Sequence, residues 1–297
     1  MAAILESSPN DADAVCYSGG MARTFPSRPR AAVTGAASGF GRAISLRLAE
    51  RGGRLVLSDV DEEGLAETVE LCARAGGEAL SLRCDVRDPE QVEAQAARVD
   101  EAFGGVDILV NNAGVAVAGA VGDVSLEDWR WQIDINLWGV VHGCHAFVPR
   151  MKKQGQGWVL NVASAAGLLS APMMGPYNVT KAGVVALSET LYGELAGTGV
   201  HVTALCPTFF RTRIHENARA NEALRAQTAK LITGSKWTAE AVADVALRGL
   251  ERGDLYVVPQ ADGKVMWRAK RLLGQGFFGV IGHVTRSPRI SKWLSGN

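Results

Sequence analysis

Along the chain, short apolar runs alternate with longer stretches in which apolar positions recur every three or four residues. The runs are Ala31-Ala32-Val33, Leu55-Val56-Leu57, Ala79–Leu82, Ile108-Leu109-Val110, Trp158-Val159-Leu160, Val200–Leu205 and Leu255–Val258. After the first run, Ala43, Ile44, Leu46 and Leu48 follow a helical period; after the third, Val92, Ala96, Val99 and Phe103 do the same. Seven strands separated by helices predict right-handed βαβ units. The expected fold is therefore α/β, a single doubly wound parallel sheet with helices on both faces. The strands read as apolar runs rather than alternating ones, as burial on both faces requires. With no internal repeat and no second core pattern, residues 30–260 are expected to form one domain.

The two ends differ in kind. Residues 1–29 contain Pro9, Gly19-Gly20, Pro26 and Pro29 without a sustained apolar period, and are expected to be a flexible extension. From residue 261 a basic amphipathic tail is predicted. Its stretch 263–297 carries Lys264, Arg268, Lys270, Arg271, Arg286, Arg289 and Lys292 with no acid, interleaved with Trp267, Leu272, Phe277 and Phe278. Three readings of this tail stand: a cover over the substrate mouth or a neighbouring subunit, a peripheral contact with an anionic membrane, or a loosely ordered extension.

Composition narrows the class. An apolar share of 47% with 21% charged residues excludes a mainly disordered chain. The net charge of zero argues against nucleic acid as the main partner. Five scattered cysteines, without Cys-x-x-Cys or a Cys–His pairing at ligand spacing, point to neither a disulfide framework nor a metal site. With no apolar stretch of spanning length and no secretory pattern at the start, a cytoplasmic location is expected.

The first predicted strand runs directly into Thr34-Gly35-Ala36-Ala37-Ser38-Gly39-Phe40-Gly41, and a helical pattern follows. Glycines at this point let the backbone turn sharply and approach a pyrophosphate, while the helix start offers free N–H groups and its positive dipole end. A plain tight turn explains a lone glycine pattern; the strand–turn–helix context is what favours a dinucleotide. The Gly-x-x-x-Gly-x-Gly spacing resembles that of the short-chain dehydrogenase/reductase family, and the resemblance extends over residues 30–260. It implies a Rossmann-type fold with cofactor contacts from Gly35, Ser38, Gly39, Phe40 and Gly41. Asp59, ending the second strand, can accept hydrogen bonds from the adenosine ribose and repel a 2′-phosphate. With no Arg or Lys at Ser38 or Val60, NAD is expected over NADP. The resemblance assigns Asp85-Val86 to the adenine, although a helix N-cap accounts equally well for Asp85. It also assigns Asn112, Ala113 and Gly114, within Asn111-Asn112-Ala113-Gly114, to the wall of the cofactor pocket. Pro207-Thr208-Phe209-Phe210-Arg211-Thr212 departs from the family's Pro-Gly at Thr208. Thr212 fits the position that contacts the nicotinamide carboxamide, with Phe210 beside it.

Tyr177-Asn178-Val179-Thr180-Lys181 places a phenol and an ammonium on one helix face. A free tyrosine, with pKa about 10, is a poor base near neutrality. A cation about 4 Å away at an effective dielectric near 20 is worth about 4 kcal/mol, or about three pKa units, enough to bring it near working pH. Tyr-x-x-x-Lys alone is a common chance pattern. Ser164, thirteen residues before Tyr177, and Asn136 complete the family's Ser-Tyr-Lys-Asn tetrad. There the Ser holds the substrate oxygen and the Asn supports a water relay to the Lys.

The resemblance thus implies an NAD-dependent oxidoreductase interconverting a secondary alcohol and a ketone, working as a homodimer or homotetramer. Between Thr208 and Trp237 a substrate-covering loop is expected. Its Phe209, Phe210, Ile214, Leu224 and Leu231, beside Arg211, Arg213 and His215, fit a bulky apolar alcohol with a polar end or an ordinary amphipathic lid. An epimerase or dehydratase with retained NAD, and a non-catalytic NAD-sensing protein, are the alternatives. Trp129, Trp131 and Trp138 read as core or interface packing, and His142 and His145 lack a third ligand.

Overall fold

The computed structural model describes residues 24–285. Its strands are β1 (Arg30–Thr34), β2 (Arg54–Asp59), β3 (Glu78–Arg83), β4 (Ile108–Asn111), β5 (Gly157–Val162), β6 (Val200–Leu205) and β7 (Tyr256–Val257). All pair in parallel, in the order β3-β2-β1-β4-β5-β6-β7. Each strand falls on one of the seven apolar runs. The chain leaves β3 at one edge and re-enters at β4 beside β1. Crevices form at such switch points, outside the carboxyl ends of the strands.

Helices follow as α1 (Gly39–Ala49), α2 (Glu62–Arg74), α3 (Pro89–Phe103), α4 (Leu126–Ile133), α5 (Gly139–Gln154), α6 (Ala165–Leu169), α7 (Gly175–Glu194), α8 (Glu222–Thr233) and α9 (Ala239–Arg252). Two more, α10 (Ala261–Leu273) and α11 (Gln275–Thr285), come from the predicted tail. Apolar stripes of α3, α5 and α7, among them Val92, Ala96, Phe147, Met151 and Val184, form one core on one face of the sheet. Those of α1, α2 and α9, including Ile44, Leu48, Leu65, Val242 and Ala246, form a second core on the other.

Two expectations are modified. β3 is only partly buried, because it is an edge strand with no neighbour beyond it. Within the predicted N-terminal extension, residues 24–29 pack on the body: the Phe25 ring meets Trp158 edge-on at 5.1 Å, Arg51 lies over it at 5.7 Å, and Pro29 is buried. One aromatic anchor leaves no periodicity to detect. Residues 1–23 of that extension and 286–297 of the tail lie outside the described residues.

Candidate active site

The turn after β1 and the end of β4 are sewn together by side chains. Asn112 Nδ2 donates to the carbonyls of Thr34 and Gly35, both at 2.9 Å, while Thr34 Oγ1 accepts the N–H groups of Asn112 (3.0 Å) and Ala113 (3.1 Å). Gly35 has φ +66°, and a methyl there would stand 2.8 Å from Ala113 Cα; one on Gly41 would overlap the Gly35 carbonyl oxygen. This close-packed turn opens into the start of α1, a shape that fits a pyrophosphate. Asp59 stands beside it with a fully engaged carboxylate: Oδ2 accepts the Ala37 N–H (2.9 Å) and Oδ1 those of Val60 (2.7 Å) and Asp61 (3.1 Å). The Arg42 guanidinium is committed elsewhere, to the Ala37 carbonyl and Glu67, each at 2.6 Å.

Asp85 is not a helix cap. Asp88 caps α3, accepting the Glu90 N–H at 2.9 Å, whereas Asp85 binds the Arg87 guanidinium and is held below the usual carboxylate range by it. Val86 follows on the cleft wall, its carbonyl 2.9 Å from His142 Nδ1.

Ser164 caps α6, its Oγ accepting the Ala166 N–H at 3.1 Å. From α7, Tyr177 stands beside Ser164, and Lys181 lies one helical turn further along. Lys181 is 3% exposed; its Nζ donates to the Val162 carbonyl at 2.8 Å and lies 5.7 Å from the Tyr177 ring centroid. Desolvation brings this ammonium down to about 8. The same burial pushes the Tyr177 phenol up, and a hydrogen bond with Ser164 only partly opposes it. Desolvation thus works against the lowering expected from the Tyr–Lys spacing and sets the direction of the shift at Tyr177.

Asn136 sits in a five-residue π-helical segment, Asp134–Trp138, between α4 and α5. Such widened turns free a residue from the regular helix and recur at functional sites. Fully buried, Asn136 donates to the Val115 carbonyl (2.9 Å) and accepts its N–H (2.8 Å). A methyl on Gly114 would lie 3.3 Å from Asn136 Oδ1 and 3.7 Å from Lys181 Nζ, so these groups converge.

All the predicted site residues except Gly41 and Asn136 line one continuous cleft of about 600 Å³; those two lie directly behind its wall. Leu169, Met174, Phe209, Ile214 and Ile232, joined by Met266, Phe277 and Ile281 from α10 and α11, give the cleft a largely apolar lining, which Arg213, Glu216, Asn217, Thr228 and Asp262 interrupt. Thr212 meets Gly39, where an added Cβ would come 2.9 Å from its Oγ1, and Phe210 packs edge-on against Phe40 at 6.3 Å.

The family model described as "short chain dehydrogenase" matches residues 29–223. The chain belongs to that family. It is an oxidoreductase of the short-chain type, with the family's dinucleotide-binding Rossmann fold. A short chain dehydrogenase/reductase from Burkholderia phymatum, solved in complex with NAD, is 37% identical with a TM-score of 0.81, covering 85% of this chain and 96% of that one. The "CLA biosynthesis dehydrogenase/reductase" of Lactiplantibacillus plantarum is 31% identical over 82% of this chain and 93% of its own length. The D-beta-hydroxybutyrate dehydrogenase of Rhizobium meliloti (strain 1021) is 35% identical over 65% and 76% respectively.

In this short-chain dehydrogenase two contributions escape sequence reasoning. Arg219 anchors the covering segment: its backbone bridges Ala116 and Ala118, its guanidinium binds Asp128 at 2.8 Å and lies 3.8 Å above the Trp131 ring. A single Arg in an irregular segment gives no sequence signal. Thr208, the departure from Pro-Gly, receives a role from the start of α10 and the residue before it: its N–H donates to Gln260 Oε1 (3.0 Å) and its Oγ1 to Asp262 (3.4 Å). The C-terminal helices are thereby tied to the site loop.

Proposed function

We propose that the protein interconverts a bulky apolar secondary alcohol and its ketone with NAD as cofactor. The observation that carries this reading is that Ser164, Tyr177 and Lys181 line one cleft together with the glycine turn and the apolar side chains of Phe209, Ile214 and Met266. The close-packed Gly35–Gly41 turn fits a dinucleotide pyrophosphate, and Asp59 fits an unphosphorylated adenosine ribose. Asp85-Val86 would flank the adenine, and Asn112, Ala113, Gly114, Phe210 and Thr212 the remainder. When bound, the cofactor supplies the hydride acceptor or donor at its nicotinamide ring.

The chain's own groups handle the oxygen and its proton. Ser164 Oγ holds the substrate oxygen beside Tyr177. In the oxidative direction Tyr177, as phenolate, takes the hydroxyl proton while the carbinol carbon gives up its hydrogen with the bonding pair, leaving a ketone; in reduction the phenol returns that proton. Because burial raises the phenol, nearby positive charge is required, and Lys181 is the ammonium in place to supply it. Asn136, through Val115, fixes the wall against which Lys181 is held. The apolar side chains of the lining exclude water and take the hydrophobic body of the substrate. The active form is proposed to be a homodimer or homotetramer.

An alcohol carrying deuterium on its carbinol carbon tests the chemistry. Incubation with NAD should deliver one deuterium to NADH together with the ketone, detected by mass spectrometry. Alcohol consumed without net NADH would instead indicate epimerisation or dehydration.

A further inference from the structure

We infer that the α10–α11 face is a peripheral docking surface for an anionic phospholipid bilayer. α10 has three distinct sides. Gly263, Trp267 and Lys270 turn inward: a Cβ on Gly263 would meet Thr208 at 2.9 Å, Trp267 lies 5.0 Å from the Tyr256 ring, and Lys270 donates to the Leu168 carbonyl at 2.6 Å. Val265, Met266, Leu272 and Leu273, spaced i, i+1, i+7 and i+8, share a second side that faces outward, with Leu272 86% and Val265 65% exposed. Lys264, Arg268 and Arg271, spaced i, i+4 and i+7, form the third, also exposed. On α11, Phe278 and Val280 are exposed as well.

An inward face, an exposed apolar face and a flanking cationic face are what a helix lying in a membrane interface requires. Charge fixes the occupant. Residues 263–297 hold seven basic residues and no acid, leaving 24 basic and 31 acidic residues elsewhere in the chain. An anionic surface therefore attracts this end and repels the rest, which orients the molecule. A twofold contact between copies through the same face would set its cations against each other. Among the described residues no helix is long and apolar enough to cross a membrane, so the contact is peripheral. Met266 belongs to both the outward side and the cleft wall, so the cleft lies next to the docking face. The inference stands on this surface alone, independently of the reaction.

Full-length protein is co-sedimented with vesicles of equimolar phosphatidylglycerol and phosphatidylcholine, and with phosphatidylcholine alone. Binding is expected only to the anionic vesicles and should weaken with added salt. Leu272→Asp with Leu273→Asp, and separately Lys264→Glu with Arg268→Glu, should each reduce it at least tenfold while NADH affinity and the melting curve stay at the wild-type value. Absence of vesicle binding by the wild type, or binding that survives both pairs of substitutions, overturns the inference. So does a change in native mass caused by the Leu272/Leu273 pair without vesicle binding, which would assign the face to a second copy.

Discussion

Lys181 is where burial matters most at the scale of single residues. Its value of about 8, against 10.5 in the unfolded chain, corresponds to an order-of-magnitude penalty of about 3 kcal/mol for keeping the ammonium charged in the fold. The folded value lies below the unfolded one, so the unfolded state binds more protons between them. The penalty is therefore full below about pH 8 and fades as the pH rises toward 10.5. Urea unfolding of the wild type and Lys181→Met should show a stability gap favouring the variant at neutral pH that narrows across this window. A gap independent of pH would mean that the ammonium is adequately solvated. The Tyr–Lys pairing itself is legible in the sequence, because a four-residue spacing fixes a shared helix face. The competition between desolvation and attraction is not, since it depends on Val162, Cys206 and the rest of the surrounding packing. Asp85 shows the same divide: its sequence position suits a cap, but local geometry gives the cap to Asp88.

Individual elements place these residues, and two can be tested directly. In the β1–α1 turn, Gly41→Ala forces a methyl into the Gly35 carbonyl. Overpacking of this kind costs about 1–3 kcal/mol, so NADH affinity by calorimetry should fall about tenfold or more. An unchanged affinity would show that the turn has room to relax. In the covering segment, Arg219→Ala removes a partly exposed ion pair and the stacking on Trp131. Together these are worth about 1 kcal/mol, so KM for substrate should rise about fivefold with kcat little altered, and proteolysis between α7 and α9 should speed up. A lower kcat at constant KM would place Arg219 in the chemistry instead. Strands are legible because burial on both faces demands apolar runs. The covering segment is not, because its conformation rests on single contacts from α4 rather than on a repeating pattern.

Over the whole molecule, seven apolar runs and the handedness of βαβ units already imply the sheet, and the sheet order brings the Gly35 turn and Asn112 together. The docking of α10 and α11 was open to three readings in the sequence. Contacts of Thr208 with Gln260 and of Lys270 with Leu168, far apart in the chain, hold these helices against the body. This placement adds Met266, Phe277 and Ile281 to the lining of the cleft that also holds Asp59. NAD is accordingly expected to give a higher kcat/KM than NADP, by at least tenfold for a carboxylate set against an added phosphate. A preference for NADP would remove Asp59 from that role. The most direct measurement pairs NADH titration with turnover for wild type and Tyr177→Phe. The variant should bind NADH within about twofold of the wild type and lose nearly all conversion of alcohol or ketone. Turnover that persists without the phenolic oxygen would contradict the assignment of Tyr177 as the proton carrier, and with it the proposed reaction.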